Sequence, residues 1–168
     1  MGDSVVHSGF RVGPAVAADA HVVAGYIRKM LEYTASLGGY AGNRSDQRWE
    51  ELAARVGEEI SSNPRHAYFL ARDGAGVPIG LGAAQITEAH LALEPCKTLH
   101  VSTLYVEPEL RKSGIGKRIL EELITFGKAR GVDEIDLGVE ANNPAVKLYL
   151  EAGFRIQRYR MVLALKEG

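Results

Sequence analysis

The stretch TLHVSTLYVEPELRKSGIGKRILEELITFGKARGVDEIDLGV, from Thr98 to Val139, changes its hydrophobic period twice. Thr98–Val106 is rich in β-branched and aromatic residues, which predicts a central strand. Its apolar alternation, Leu99 and Val101, slips to Leu104 and Val106, as one extra residue in a β-bulge would produce. After Pro108 and a glycine-containing loop, Ile115, Ile119, Leu120, Leu123, Ile124 and Phe126 recur at helical spacing. Arg130 falls in the last turn of that helix and Gly131 just beyond it, the residue types that favour a helix end. Glu134–Val139 returns to strand character. Strand, helix and strand in this order imply two parallel neighbours joined by a right-handed crossover. The fold class is therefore α/β, or α+β where antiparallel parts are counted.

Outward from this core, Phe10–Val12 reads as a short first strand closed by Gly13-Pro14. Asp19 is a helix N-cap by type, followed by Val22, Val23, Tyr26, Ile27, Met30 and Leu31 on one face. Gly38-Gly39 ends that helix. A second begins near Ser45-Asp46, carries Trp49, Leu52, Ala53, Val56 and Ile60, and stops before Asn63-Pro64. His66–Arg72 and Val77–Thr87 form a hairpin about Asp73-Gly74-Ala75-Gly76, and Glu88–Lys97 reads as a loop. Asn143-Pro144 opens a last helix that Gly153 closes, and Phe154–Arg158 and Met161–Leu165 suit two final strands.

The 168 residues suffice for one domain, 1–168, with a real core. Hydrophobic residues make up 46% and charged residues 24%, so a folded soluble chain is expected rather than disorder. A formal net charge of −1 gives no global basic field for nucleic acid. Cys96 is the only cysteine, which excludes an intrachain disulfide and four-thiolate metal sites, and the five histidines show no ligand spacing. No metal, nucleic-acid or membrane partner is expected. The N-terminal residues lack the pattern of a signal peptide and no apolar run approaches a membrane span, so a cytoplasmic address is expected.

Arg111-Lys-Ser-Gly-Ile-Gly-Lys-Arg118 joins strand to helix, where four amides have no intrahelical partner and the helix dipole adds positive charge. Gly114 and Gly116 remove the Cβ atoms that would hold a phosphate off those amides, and Arg111, Lys112, Lys117 and Arg118 add full charges. The dipole alone contributes only about 0.3–1 kcal/mol, so aligned amides and cations carry most of the attraction. The turn is a pyrophosphate cradle by chemistry. It is not a Walker loop, because Arg118 follows Lys117 and Arg111 stands at the first glycine position. It is not a dinucleotide fingerprint, because Ile119 stands at the last glycine position.

Val106-Glu-Pro108-Glu-Leu-Arg111-Lys-Ser-Gly114-Ile-Gly116 closely resembles the acetyl-CoA motif V-x-P-x-x-R-x-x-G-x-G of the GNAT N-acetyltransferase superfamily. Asn142-Asn-Pro-Ala145-Val-Lys-Leu148-Tyr149-Leu-Glu-Ala-Gly153-Phe154 resembles the same family's N-x-x-A-x-x-L-Y-x-x-x-G-F signature. The likeness covers Thr98 to about Leu165; the first half matches in element order. It implies a twisted, mostly antiparallel sheet of six or seven strands with about four helices, and one parallel pair that splays to admit the cofactor. It also implies acetyl-CoA as cosubstrate, its pantetheine arm against the backbone of Leu104, Tyr105 and Val106. The pyrophosphate then falls on the amides around Arg111, Lys112, Ser113, Gly114, Ile115, Gly116 and Lys117. Helices over about 19–62 border the acceptor.

Acetyl transfer to an amine needs a free amine, a stabilised tetrahedral oxyanion and a proton for the leaving thiolate. The resemblance gives the second role to a backbone N–H near Val106 and the third to Tyr149. A lysine-like ammonium of pKa ~10.4 costs about 4.6 kcal/mol to deprotonate at pH 7. Glu88, His100, Glu107 and Glu140, or a water chain, are the candidate bases. Counting back from Tyr149 selects Asn142 as a cofactor or water contact, whereas counting forward from Val139 selects Asn143; Asn143 already serves as the cap, so Asn142 is expected at the cofactor. The glycines of Gly38–Gly42 suit a mobile lid, with Tyr33, Tyr40 and Trp49 lining a pocket. The expected reaction is direct transfer in a ternary complex to a small amine or amino acid. A protein N-terminus or lysine is the next acceptor, and a non-catalytic acyl-CoA sensor or a nucleotide-binding regulator is the competing class. A monomer or homodimer fits equally.

Overall fold

One sheet organises the chain, and its strands lie side by side in sequence order: β1 (Arg11–Pro14), β2 (His66–Arg72), β3 (Pro78–Ala89), β4 (Cys96–Val106) and β5 (Glu134–Leu137). The computed structural model describes residues 9–39, 46–89 and 96–158, with Met161 and Leu163. The first three pairings are antiparallel and β4–β5 is parallel. Pro14 is accommodated because β1 is an edge strand.

Helices α1 (Ala20–Ser36) and α2 (Asp46–Ser62) cover one face, where Val23, Tyr26, Val56, Leu70, Leu81 and Tyr105 are buried together. Helix α3 (Ile115–Ala129) covers the other, with Ile115, Ile119 and Leu123 packed on Leu99, Val101, Ile79 and Ile86. Helix α4 (Val146–Glu151) follows β5.

The bulge expected from the alternation of β4 is present. Thr103 stands opposite Ala83 and Val101 opposite Ala84, which leaves Ser102 as the extra residue. Leu104 and Val106 are thereby returned to the α3 side, and Tyr105 to the α1/α2 side.

Several expected boundaries move. The 88–97 segment is not all loop, because Glu88 and Lys97 stay in register and prolong the β3–β4 ladder. β5 ends at Leu137, so Gly138 and Val139 lie beyond it and Val139 is exposed. Asp19 does not cap α1 through its side chain. A 3₁₀ turn at Ala17–Asp19 precedes the helix, and the Asp19 carboxylate accepts from Val16 N–H at 2.9 Å and from Arg72 at 2.6 Å. The described residues hold five strands rather than six or seven. Phe154–Arg158 forms none: Phe154 turns back to donate to the Tyr149 carbonyl at 3.0 Å, and the exposed residues after it pair with no described strand. The other expected strand, Met161–Leu165, falls mostly outside the described residues.

Helix α3 sits close on the sheet because β3 offers glycines beneath it. A Cβ on Gly82 would come within 2.3 Å of Ile119 Cγ2 and 3.1 Å of Leu123 Cδ1, both in buried side chains. Gly82→Ala is therefore expected to lower unfolding free energy by about 1–3 kcal/mol, as overpacking does. Chemical denaturation with an unchanged m-value checks it; wild-type stability would contradict this packing.

Candidate active site

β4 and β5 pair over only four positions, from Thr98↔Glu134 to Val101↔Leu137. β4 then continues to Val106 along β3, and its other edge has no partner among the described strands. A wedge-shaped gap thus opens at the bulge and widens toward Val106. Tyr105 is buried, and Leu104 and Val106 are partly buried in the core, so the backbone of Ser102–Val106 is what this edge presents.

The turn into α3 closes the wide end. Lys112 is the one non-glycine residue with positive φ among those described, at 65°, and Gly114 follows at 88°. Alternating backbone handedness of this kind turns successive N–H groups into one concavity. The first of the α3 ladder bonds runs from Arg118 N–H to Gly114 O at 3.0 Å, so the amides of Ile115, Gly116 and Lys117 precede it and face outward. Ser113 Oγ donates to Leu110 O at 2.5 Å and stiffens the turn. Of the four cations expected here, Lys112 and Lys117 have no ion pair among the described residues. Arg118 is drawn along the helix to Glu121 and Glu122. Arg111 turns away as well: its Nε donates to Val106 O at 3.2 Å, and its guanidinium lies 4.3 Å from the Tyr33 ring and 5.5 Å from that of Tyr105. That side chain fastens α1 to the end of β4.

Helix α4 lies against the first turn of α3, with Leu148 Cδ2 3.5 Å from where a Cβ on Gly116 would stand. Tyr149 is 9% exposed and meets Phe154 edge to face at 5.9 Å. Burial pushes its phenol up to about 12. The hydroxyl makes no hydrogen bond with the described residues, yet no buried side-chain oxygen among them lacks a partner, so it opens to solvent. Asn142 Nδ2 donates to Leu37 O at 3.1 Å, and Asn143 Oδ1 accepts from Ala145 N–H at 2.9 Å at the turn into α4. Gly39 is pressed against Thr34 and Glu140; a Cβ there would come within 2.8 Å of Glu140 Oε1. The end of α1 thus bridges to the loop after β5. Tyr40 and Gly42 lie outside the described residues.

The four candidate bases separate. Glu88 pairs with Arg65 at 3.1 Å and stands opposite Lys97, nine residues down β4 from Val106. Glu107 is bonded to Lys29 and mostly buried. Glu140 lies at the rim beside Gly39. His100 stands one residue before the end of the parallel pairing, with Nδ1 2.7 Å from Asp136 Oδ1. Asp136 was not legible as a partner: the alternation Ile135, Asp136, Leu137 turns it outward, but only the parallel register puts it beside His100. Lys29 was missed similarly, since its bond to Glu107 spans 78 positions. Among the described residues no group of three or more His, Cys, Asp or Glu is placed to hold a metal, and no helix is long and apolar enough to cross a membrane.

Residues 30–154 match the model of the acetyltransferase (GNAT) family, and the chain belongs to that family. The family is one of acetyltransferases by its description. A mycothiol acetyltransferase from Clavibacter michiganensis subsp. michiganensis (strain NCPPB 382) is 45% identical over 56 residues, 33% of this chain and 18% of that relative's length. The tetramutant of the BH1408 protein from Bacillus halodurans superposes with a TM-score of 0.76 at 24% identity, over 92% of this chain and 99% of that one. A predicted acetyltransferase from Clostridium acetobutylicum, solved with acetyl-CoA, gives 0.73 at 18% identity over 93% and 96%. At such identities the structural likeness speaks for the fold.

A Cβ on Gly116 would make only ordinary contacts, 3.5 Å to Leu148 and 3.7 Å to Val106, while narrowing the space between α4 and β4. Gly116→Ala is expected to keep or raise the melting temperature, as Gly-to-Ala in a helix does by up to about 1 kcal/mol. Affinity for acetyl-CoA should fall at least about tenfold, or ~1.4 kcal/mol. Calorimetry on the variant checks it; unaltered affinity would place the ligand elsewhere.

Proposed function

We propose that this protein moves the acetyl group of acetyl-CoA to the primary amine of a small acceptor, by direct attack in a ternary complex. One observation carries the reading: the unpaired edge of β4 leads from the end of its pairing with β5 to a concave, glycine-lined helix start. An extended pantetheine arm has hydrogen-bonding needs like those of a strand, which the backbone groups that Leu104–Val106 turn away from β3 meet, apart from Val106 O, which already accepts from Arg111 Nε. A diphosphate suits the amides from Lys112 to Lys117, with Lys112 and Lys117 free to approach it. Arg111 acts in the same site by holding the turn against Tyr33 rather than by reaching a phosphate. Asn142 shapes the rim through its bond to Leu37 O, close to where the thioester arm would enter.

Acetyl-CoA supplies an activated acyl thioester; the rest is done by the chain. The N–H of the Val106 region offers a donor where negative charge grows on the acyl oxygen. Tyr149 keeps its proton at all working pH values, since burial raises it to about 12. A thiol titrates near ~8.5, so outright loss of that proton to a thiolate is uphill by about 5 kcal/mol. Tyr149 therefore works by donating a hydrogen bond to the departing sulfur and passing its proton only as the newly bonded nitrogen gives one up. The bridge between the end of α1 and the loop carrying Glu140 and Asn142 makes a confined approach, which favours a small amine over a folded protein surface. A cytoplasmic monomer or homodimer, without nucleic acid or membrane, is consistent with this role.

Tyr149→Phe keeps the ring packed on Phe154 and removes the donor. Turnover should fall about 10²-fold with acetyl-CoA affinity unchanged. Release of free CoA thiol against a panel of primary amines measures it; an unaltered kcat at saturating amine would remove Tyr149 from the reaction.

A further inference from the structure

We infer that the hydroxyl of Thr103 selects the acceptor, by bonding a neutral oxygen on the carbon next to its amine-bearing carbon; this rests on the acetyl-transfer reading above. Among the described residues Thr103 is the one buried polar side chain other than tyrosine, at 4% exposure. Its hydroxyl makes no hydrogen bond with those residues. No fully enclosed side-chain oxygen among them lacks a partner, so the Thr103 oxygen belongs to the small part of the residue that stays open. Neighbouring hydroxyls behave the other way. Ser102 is exposed, yet its Oγ donates to Ala83 O at 3.3 Å, and Thr98 Oγ1 donates to Glu134 Oε1 at 3.4 Å. A hydroxyl kept in a core without a protein partner costs stability that a valine there would not.

Placement supplies the partner. Leu104 and Val106 seat on the α3 side and Tyr105 on the α1/α2 side, so Thr103 shares the face of Tyr105. It is the first residue past the bulge, where pairing with β5 has ended and the edge of β4 is free. Across β3 stands Ala83, which has no polar side chain, and beyond it Tyr68, whose hydroxyl is engaged by Glu59. The row therefore leaves the Thr103 oxygen to whatever enters from the side of α1, where the acceptor approaches.

Distance fixes what it meets. Thr103 precedes Val106 by three residues, about 10 Å along an extended strand. A hydrogen bond from the N–H near Val106 to the acyl oxygen spans about 3 Å of this, and one from Thr103 to the acceptor about 3 Å more. The remaining ~4 Å separates the reacting centre from the atom that Thr103 holds, which matches an amine and an oxygen on adjacent carbons. A neutral hydroxyl both donates and accepts, so it suits a hydroxyl or carbonyl oxygen; a carboxylate is better held by a cation. Thr103 exchanges no proton and forms no covalent bond here. It is a specificity-determining residue, since an acceptor lacking the oxygen leaves its hydroxyl unpaired.

The test measures CoA thiol release at saturating acetyl-CoA with isosteric acceptors that differ by OH for CH₃. Ethanolamine is compared with n-propylamine, and 3-aminopropan-1-ol with n-butylamine, for wild type, Thr103→Val and Thr103→Ser. Wild type should favour ethanolamine over n-propylamine about tenfold in kcat/KM, and the longer pair less. Thr103→Val should bring the first ratio close to one by losing rate on ethanolamine alone, while Thr103→Ser keeps it. Affinity for acetyl-CoA should be unchanged, and the melting temperature of Thr103→Val should equal or exceed that of wild type. A lowered melting temperature would reveal a protein partner for the hydroxyl and overturn the inference. So would a wild type that turns over without distinguishing the first pair, or a Thr103→Val that still does. If no amine releases thiol from wild type, the transferase reading itself falls.

Discussion

A single extra residue, Ser102, sets the geometry on which the site depends. In a regular strand β4 would present one set of side chains to α3 throughout and would stay paired with β5. The bulge shifts the parity, so Leu99 and Val101 before it and Leu104 and Val106 after it all seat on the α3 face. It also adds local twist to β4. The parallel ladder to β5 stops at the same point, after Val101 and Leu137. The core is thus kept continuous on the side of α3 while a backbone edge is released on the other. A strand edge left open is ordinarily a liability for pairing with other chains. Here it lies between a helix start and α4, where a slender extended group fits better than another strand.

The remainder of the site is arranged to hold that opening. Arg111 ties the end of β4 to Tyr33 of α1, Lys29 of α1 reaches Glu107, and Tyr26 of α1 donates to Pro78 O at 2.8 Å. One turn past Tyr33, at its C-terminal end, α1 is also joined to the loop after β5 through Asn142 and Leu37. One helix therefore braces both sides of the wedge. Arg111 shows how a motif residue can act by fixing the shape of a loop rather than by lending its charge.

Local features were legible in the sequence and long-range ones were not. The apolar face of α3, the hairpin, the parallel pair and the bulge each leave a periodic trace within a dozen residues. The glycines at 114 and 116 marked the turn because their side-chain-free backbone is itself the signal. By contrast, the end of β5 at Leu137 depends on where its partner turns away, so Val139 read as strand. Phe154–Arg158 has strand composition, yet a strand exists only with a ladder to join. The direction of Arg111 over Tyr33, the bond of Lys29 to Glu107 and the pairing of His100 with Asp136 join residues 78, 78 and 36 positions apart. Those depend on register and on packing of α1, which no short window contains.

The central claim is that one ligand spans the wedge, with its diphosphate on the α3 amides and its arm along the edge of β4. Titrating acetyl-CoA into ¹⁵N-labelled protein and following backbone amides tests it directly. Saturable shifts at Lys112–Lys117 and at Leu104–Val106 together, with β1 and β2 unmoved, are the expected result. Shifts confined to other elements, or none at millimolar ligand, would contradict the account.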